Sequence, residues 1–216
     1  MWYDVCVTLR NWKGFAHMDH EPNQQSASER LYAIAERQAG YFTTSQAKDA
    51  GYSQRQLTYY VRSGRFLRVR WGIYRLTLFP STPHEDLFVA WLRAGDEAVI
   101  SHDSALALHE LSDVLPDRIH VTVPRSASRR RRGFALHTNR LDANEVAHVM
   151  GLPVTTVSRT IADVATSGLA EEQVVQAVSE AVDRGLVTVD DLQAHARGHG
   201  GRAERLIMRA LSERTP

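Results

Sequence analysis

The chain has 216 residues, 43% hydrophobic and 24% charged, which is the composition of a globular protein and excludes a largely disordered chain. The formal net charge is only +1, which excludes a uniformly basic surface for nucleic acid, so the informative quantity is where the charges sit along the chain. Cys6 is the single cysteine, which excludes an intrachain disulfide and a cysteine-based zinc site.

Residues 1–27 show no sustained helical or strand period and end in a polar stretch, so we predict a flexible leader there. The segment lacks a basic start followed by an apolar block, and no part of the chain reaches the roughly 18–20 apolar residues that a membrane helix needs. We therefore predict a cytoplasmic protein that contacts no membrane. Met18 offers an alternative translation start, which the sequence leaves open beside Met1.

Residues 28–78 are predicted to form a winged helix-turn-helix domain that binds double-stranded DNA. Ser28 can cap the first helix, whose apolar residues recur on one face. Thr44 or Ser45 then caps a second, short helix, and Gly51 permits the sharp turn that joins two helices at a steep angle.

The third predicted helix begins after the cap residue Ser53. Its apolar residues recur at i, i+3 and i+4 and mark a buried side. On the opposite side, Arg55, Tyr59 and Arg62 fall at i, i+4 and i+7 and form one exposed stripe. Arg55 is the best candidate for a base edge, because a guanidinium can pair bidentately with guanine. The helix residues predicted to contact DNA are Ser53, Gln54, Arg55, Gln56, Tyr59 and Arg62.

Residues 65–76 form two β-rich runs around Gly72, which predicts a wing hairpin. Between Ser53 and Arg75 there are six arginines and no acidic residue, so positive charge is concentrated on this module. Strand alternation predicts that Arg68 and Arg70 share one face. The wing residues predicted to touch phosphates or enter the minor groove are Arg65, Arg68, Arg70 and Arg75.

A charged helix face is by itself more often a solvated surface than a binding site. Its position after a helix-turn-helix and before a basic hairpin favours DNA contact, because this arrangement presents the third helix to the major groove. Some wing arginines could instead only shield an edge strand.

A second domain is predicted over residues 84–213, after a linker marked by Pro80 and Pro83. It is mostly helical with a small sheet, so the fold class of the chain is α+β. The helices are predicted at residues 84–94, 102–111, 154–165, 171–184, 188–196 and 202–211, and the strands at residues 119–123 and 134–137.

The loop between the two predicted strands of the second domain is strongly basic. It could add a phosphate contact, bind an acidic partner surface, or simply be a solvated loop, and the sequence leaves these alternatives open. The residues of this second possible contact are Arg125, Arg129, Arg130, Arg131 and Arg132.

The run Ser101-His102-Asp103-Ser104 contains the residue types of nucleophilic hydrolysis. Adjacent residues do not generally adopt the nucleophile, base and orienter geometry, so Ser101 or Asp103 is better interpreted as a helix cap. The ten histidines include no His-Glu-x-x-His or comparable metal spacing. We therefore predict no catalytic residue, no metal and no cofactor.

The N-terminal third of the chain resembles the AbiEi-type antitoxin family. The segments that carry the resemblance are Tyr41-Phe42-Thr43-Thr44, Arg62-Ser63-Gly64-Arg65-Phe66 and Arg70-Trp71-Gly72-Ile73-Tyr74-Arg75, with weaker similarity in residues 100–106 and 154–163. The resemblance implies a DNA-binding antitoxin that represses its own type IV toxin–antitoxin operon by binding inverted repeats in its promoter. It further implies a nucleotidyltransferase-like toxin as functional partner, countered without a stable complex.

Two other functions remain open at this point. The chain could be a shortened relative of proteins that fuse this arrangement to a nuclease of the very-short-patch-repair type. That nuclease needs a metal-binding Asp followed by Glu-x-Lys, and the only lysines, Lys13 and Lys48, lie in no such motif. The chain could also be a solitary transcription regulator whose second domain binds a protein.

Overall fold

The computed structural model describes residues 25–125 and 133–214. Cys6, most of the predicted leader and Arg129 to Arg132 of the basic loop lie outside these residues. The predicted α+β fold class is confirmed, with helices and two small sheets. Among the residues that the structure describes, no helix is long and apolar enough to cross a membrane.

The N-terminal unit has three helices and a three-stranded antiparallel sheet in the order β1-β3-β2. The predicted third helix and wing hairpin are both present, and β1 is a strand that the sequence did not predict. Its elements are α1 (Ala27–Glu36), β1 (Tyr41–Thr43), α2 (Thr44–Asp49), α3 (Gln54–Arg62), β2 (Phe66–Arg70) and β3 (Ile73–Leu76).

Each helix of this unit begins with a capping box, in which the cap side chain and the residue three positions later satisfy each other's backbone N–H groups. The predicted cap Ser53 is confirmed, whereas Ser28 lies inside α1, and Thr44 and Ser45 lie inside α2. These helices start earlier because the residues before them reach a Glu or Gln at the right spacing. The cap pairs are Ser26 with Glu29, Thr43 with Gln46, and Ser53 with Gln56.

The C-terminal unit combines a five-stranded mixed sheet, in the order β6-β5-β4-β8-β7, with a helical bundle. The pairs β4–β8 and β5–β6 are parallel and the other pairs are antiparallel. Its elements are α4 (Glu85–Ala94), β4 (Val99–Ile100), α5 (His102–Leu108), β5 (His120–Val123), β6 (Ala135–Thr138), a short 3-10 helix (Ala143–Glu145), β7 (Val146–Val149), β8 (Leu152–Thr155), α6 (Val157–Ser167), α7 (Glu171–Asp183), α8 (Val189–His199) and α9 (Gly201–Ser212).

Three helix boundaries predicted in this unit are wrong by three residues. Helix α8 ends at His199 rather than at residue 196. The residues of Leu152–Thr155 form a strand that is buried at all four positions, so they lack the alternation that identifies a half-buried strand. Helix α5 ends at Leu108 rather than at residue 111, because Glu110 adopts a positive φ of 55°, which is incompatible with a continuing helix.

One of the three hydrophobic clusters of the described residues contains side chains of both units. Tyr41 of β1 and Ile73 of β3 belong to the same buried cluster as the C-terminal sheet and α4. The Tyr41 ring stacks on Phe88 with ring centroids 5.0 Å apart, and its hydroxyl donates to Glu85 Oε2 at 3.0 Å. Burial, followed by this hydrogen bond, raises the pKa of Tyr41 to about 12. Side-chain packing, in addition to the linker, therefore holds the N-terminal unit against the C-terminal unit.

Candidate nucleic-acid interface

Helix α3 is held in place by aromatic packing on its inner side. Leu57 is fully buried, and Tyr60 lies between Tyr52 and Phe66 with ring centroids 5.7 and 5.1 Å away. Phe66 opens β2, so the same cluster fixes α3 against the wing. The opposite side of the helix is left to solvent.

The predicted stripe of α3 is on that solvent side. Arg55 and Arg62 are exposed, and the Tyr59 side chain is 63% exposed. Tyr59 contacts Tyr60 edge to face, with centroids 5.4 Å apart, so the buried ring supports the outer one. Neither arginine pairs with a carboxylate within the described residues, so both guanidinium groups are available to a ligand.

The polar residues at the start of α3 are exposed as well, but two of them have a structural role. Gln56 Oε1 accepts hydrogen bonds from the Ser53 backbone N–H and from its hydroxyl, both at 2.8 Å. Gln54 is exposed. Ser53 and Gln56 thus fix the first turn of α3, and Gln54 is the freer candidate for a DNA contact.

The wing hairpin turns at Gly72, whose φ of +76° is a backbone conformation that favours glycine. The pairing register of β2 and β3 shifts between Arg68 and Arg70, which lie opposite Tyr74 and Ile73 respectively. Because Ile73 and Tyr74 are neighbours, their side chains point to opposite faces. The bulge therefore breaks the alternation that would have placed Arg68 and Arg70 on one face, although both are exposed.

The other two wing arginines differ in exposure. Arg65 is exposed, with its guanidinium 5.6 Å from the Tyr60 ring centroid. Arg75 is half-buried, donates to the Phe79 carbonyl at 3.1 Å and lies 5.9 Å from the Tyr41 ring centroid. Arg75 is thus turned toward the packing between the units, which makes it the weakest of the predicted contacts.

Trp71, at the tip of the wing, is a candidate that the sequence prediction missed. Its side chain is 88% exposed, and the Arg68 guanidinium stacks over its ring at 4.4 Å. A large exposed aromatic side chain beside a cation can stack on a sugar or base while the cation meets a phosphate. The signal was available in the sequence, because Trp71 precedes the turn glycine within a basic hairpin.

Of the five arginines predicted as a second possible contact, only Arg125 lies among the described residues. It is exposed and follows β5. The other four arginines of this cluster lie outside the described residues, so the alternatives for this loop stay predictions.

Ser101 occupies the cap position before α5, but neither Ser101 nor Asp103 makes the predicted capping hydrogen bond. Ser101 is fully buried; its Oγ accepts from the Thr122 hydroxyl at 2.8 Å and lies 3.0 Å from His102 Nδ1. Ser104 Oγ accepts from the His120 N–H at 2.9 Å. These side chains tie α5 to β5 instead of capping the helix.

Two histidine rings near Ser101 are kept neutral by their surroundings. Burial, with the neighbouring His137 as a second cause, lowers the pKa of His102 to about 4. Burial also lowers the pKa of His137. Both rings therefore carry no charge near neutral pH.

A buried network of ion pairs lies in the C-terminal unit and was not predicted from the sequence. Arg159 pairs with Glu145 at 2.8 Å and with Asp163 at 2.9 Å, and His199 lies 3.4 Å from Asp163. Burial opposes the charge of Asp163, but its hydrogen bond to His199 and the charge of Arg159 outweigh burial and lower the Asp163 pKa. The hydrogen bond to Asp163 raises the pKa of His199. The network joins the 3-10 helix, α6 and α8.

Both units match known family models. Residues 29–77 match the model described as a transcriptional regulator, AbiEi antitoxin, and residues 97–212 match the AbiEi antitoxin C-terminal domain. No curated protein matches the chain. Among solved structures, the RV2827C protein from Mycobacterium tuberculosis is similar, with a TM-score of 0.51 at 15% identity over 88% of this chain and 78% of that one. At this identity the likeness shows the fold alone.

Proposed function

The chain belongs to the AbiEi antitoxin family, and from this premise we propose that it binds double-stranded DNA and represses its own type IV toxin–antitoxin operon. The family consists of antitoxin regulators rather than enzymes. We also propose that it acts in the cytoplasm.

One observation carries the proposal: the exposed side of α3 and the wing present arginines without carboxylate partners among the described residues, interleaved with exposed Tyr59 and Trp71. Arginine supplies bidentate donors to guanine and to phosphate, and aromatic rings stack on bases or sugars. Large apolar side chains such as Leu115 are exposed elsewhere as well, so what distinguishes Tyr59 and Trp71 is their position among exposed arginines without carboxylate partners.

In the proposed complex, α3 enters the major groove with Arg55 directed at a guanine edge and Arg62 at a flanking phosphate. The wing follows the backbone, where Arg68 and Arg70 supply salt-dependent affinity. A promoter with inverted repeats would bind two copies, one on each half-site, and the bound copies would exclude RNA polymerase.

We further propose that the functional partner is a nucleotidyltransferase-like toxin, which the chain counters without a stable complex. Support comes from family membership. Co-expression with the toxin encoded beside it should restore growth, while the two purified proteins should elute separately on gel filtration. A co-eluting complex would overturn the second part of this proposal.

The direct test is a gel-shift assay with the chain's own promoter. The double variant Arg55→Ala/Arg62→Ala should lose at least about tenfold in affinity, because a bidentate guanine contact alone is worth about 1–3 kcal/mol. Arg140→Ala is the matched control, since its side chain is 94% exposed in the C-terminal unit. Equal binding by the double variant and the control would remove α3 as the recognition helix.

A further inference from the structure

Three histidines from separate elements meet on one side of the C-terminal sheet. His102 opens α5, His120 opens β5, and His137 lies in β6. Each ring offers one nitrogen, and these three nitrogens all lie within 4.8 Å of one another. The three residues are spread over 36 positions of sequence, so no local spacing signals them.

The sheet register brings the three rings together. β5 and β6 are parallel, and Thr122 lies opposite His137. His120 is two residues before Thr122 and therefore shares its face, which is also the face of His137. Thr122 in turn donates to Ser101, the residue before His102, at 2.8 Å, so the start of α5 is anchored over the same face.

The backbone at His102 has a φ of +50°, the left-handed region that residues other than glycine seldom adopt. Such conformations cost free energy and are concentrated where a side chain must be held for binding or catalysis. Here the strained backbone begins a helix and directs an imidazole at two others, and Ser101 makes no capping hydrogen bond that would explain it.

Polar groups lie beside the ring nitrogens of the cluster, as they do around metal-ligating histidines. His137 Nε2 lies 3.1 Å from His120 Nδ1, near the roughly 3.3 Å that separates two nitrogens on one tetrahedral zinc ion. The other nitrogen of His120 faces the Asp103 carboxylate at 3.9 Å, and His102 Nδ1 faces Ser101 Oγ. A partner on the nitrogen away from the ion fixes the tautomer of a ligating histidine.

The charges close to the cluster favour a cation. Asp103 and Asp163 both interact electrostatically with these rings, and Asp163 Oδ2 is buried with no hydrogen-bond partner. Arg159 opposes them with one positive charge, which is already shared between Asp163 and Glu145. Asp163 is already paired with Arg159 and His199, so the carboxylate that brings an unopposed negative charge to the cluster is Asp103, which makes no ion pair with an arginine among the described residues.

We propose that His102, His120 and His137 bind a divalent transition-metal ion, with zinc as the best match to three imidazole ligands. The fourth position would take water. This departs from the expectation of no metal, which considered only ligand spacing along the sequence. The ion would fasten α5 to the edge of the sheet.

The ring of His102 stacks on that of His137, with centroids 3.5 Å apart and planes inclined by 11°. Two parallel imidazoles cannot both aim an in-plane lone pair at one ion. Coordination therefore turns one of the two rings about its Cβ–Cγ bond, and the environment of His102 and His137 changes when the ion binds.

The test uses the full chain, free of any affinity tag and stripped of metal with a chelator. Cobalt(II) titration should give the absorption of a tetrahedral site at one ion per chain, and zinc should displace the cobalt and raise the Tm. His120→Asn and His137→Gln should each weaken binding at least about tenfold and abolish the Tm shift. His148→Gln, on an exposed side chain of β7, is the matched control.

Absence of binding by the wild type, or unchanged binding by the cluster variants, would overturn the site. His17 and His20 could bind metal independently, so loss of binding in His17→Gln/His20→Gln alone would also overturn it. If a cluster variant does not fold, X-ray absorption on the zinc-loaded wild type decides, with three imidazole ligands expected and fewer than three contradicting the proposal.

Discussion

The two units of this chain use arginine in opposite ways. In the N-terminal unit, Arg55, Arg62 and Arg68 lie on the surface without carboxylate partners among the described residues. In the C-terminal unit, Arg159 is buried between two carboxylates. A guanidinium in water stays available to a phosphate, whereas a buried and paired one is committed to the fold. Pairing with carboxylates, and not arginine content, therefore distinguishes the proposed binding surface from the structural network.

The largest expected effect is on stability, in the buried network. Arg159→Ala leaves Asp163 and Glu145 without their cation, and removing one partner of a buried pair costs about 3–5 kcal/mol. Arg62→Ala removes an exposed side chain and should change the free energy of unfolding by no more than about 0.5 kcal/mol. Urea denaturation measures the free energy of unfolding of both variants. Similar losses in the two variants would contradict the different roles assigned to arginine in the two units.

The next effect is on DNA affinity, at the wing tip. Arg68→Ala should weaken binding and lower the slope of log affinity against log salt by about one, because one phosphate contact is lost. Trp71→Ala should cost about 1–3 kcal/mol if the ring stacks on DNA, with little change in the salt slope. Fluorescence titrations at several salt concentrations measure both quantities. A wing that contributes nothing would leave affinity and slope unchanged in both variants.

A smaller effect is expected where the two units meet. Tyr41→Phe keeps the ring on Phe88 but removes the hydroxyl that donates to Glu85, which should cost about 1 kcal/mol. The loss should appear as one cooperative shift of the whole unfolding curve. A separate early transition of the N-terminal unit would show instead that the shared core does not couple the units.

The smallest effect is a pH dependence at His199. Its pKa is raised by the hydrogen bond to Asp163, so its contribution to stability is complete below the unfolded value near 6.5 and is lost as pH rises through the folded pKa. The difference in unfolding free energy between wild type and His199→Gln should therefore shrink as the pH rises above about 6.5. A difference that grows with pH would contradict this assignment.

The sequence predicted those features that depend on neighbours along the chain. Ser53, the stripe of α3 and the turn at Gly72 follow from capping, helical period and backbone freedom, which are all local. Trp71 is equally local, but a pattern of charges does not identify an exposed aromatic side chain.

Features that depend on residues far apart in the chain could not be predicted from the local sequence. The strand Leu152–Thr155 is buried on both faces and shows no period. The register shift after Arg68, the contacts of Arg159 and the meeting of His102 with His120 depend on which strands pair and in what register. The sequence pattern offered no means of choosing that pairing.

The place of Tyr41 and Ile73 in the core of the C-terminal unit also bears on how an operator would be read. A recognition helix on a loose tether tolerates half-sites at many separations, because the tether absorbs the difference. A recognition helix that is packed rigidly against the second unit cannot adjust its position independently. In a dimer of such chains, the distance between the two recognition helices would be fixed. The proposed dimer would then select its DNA site by the separation and helical phase of the half-sites as well as by their bases.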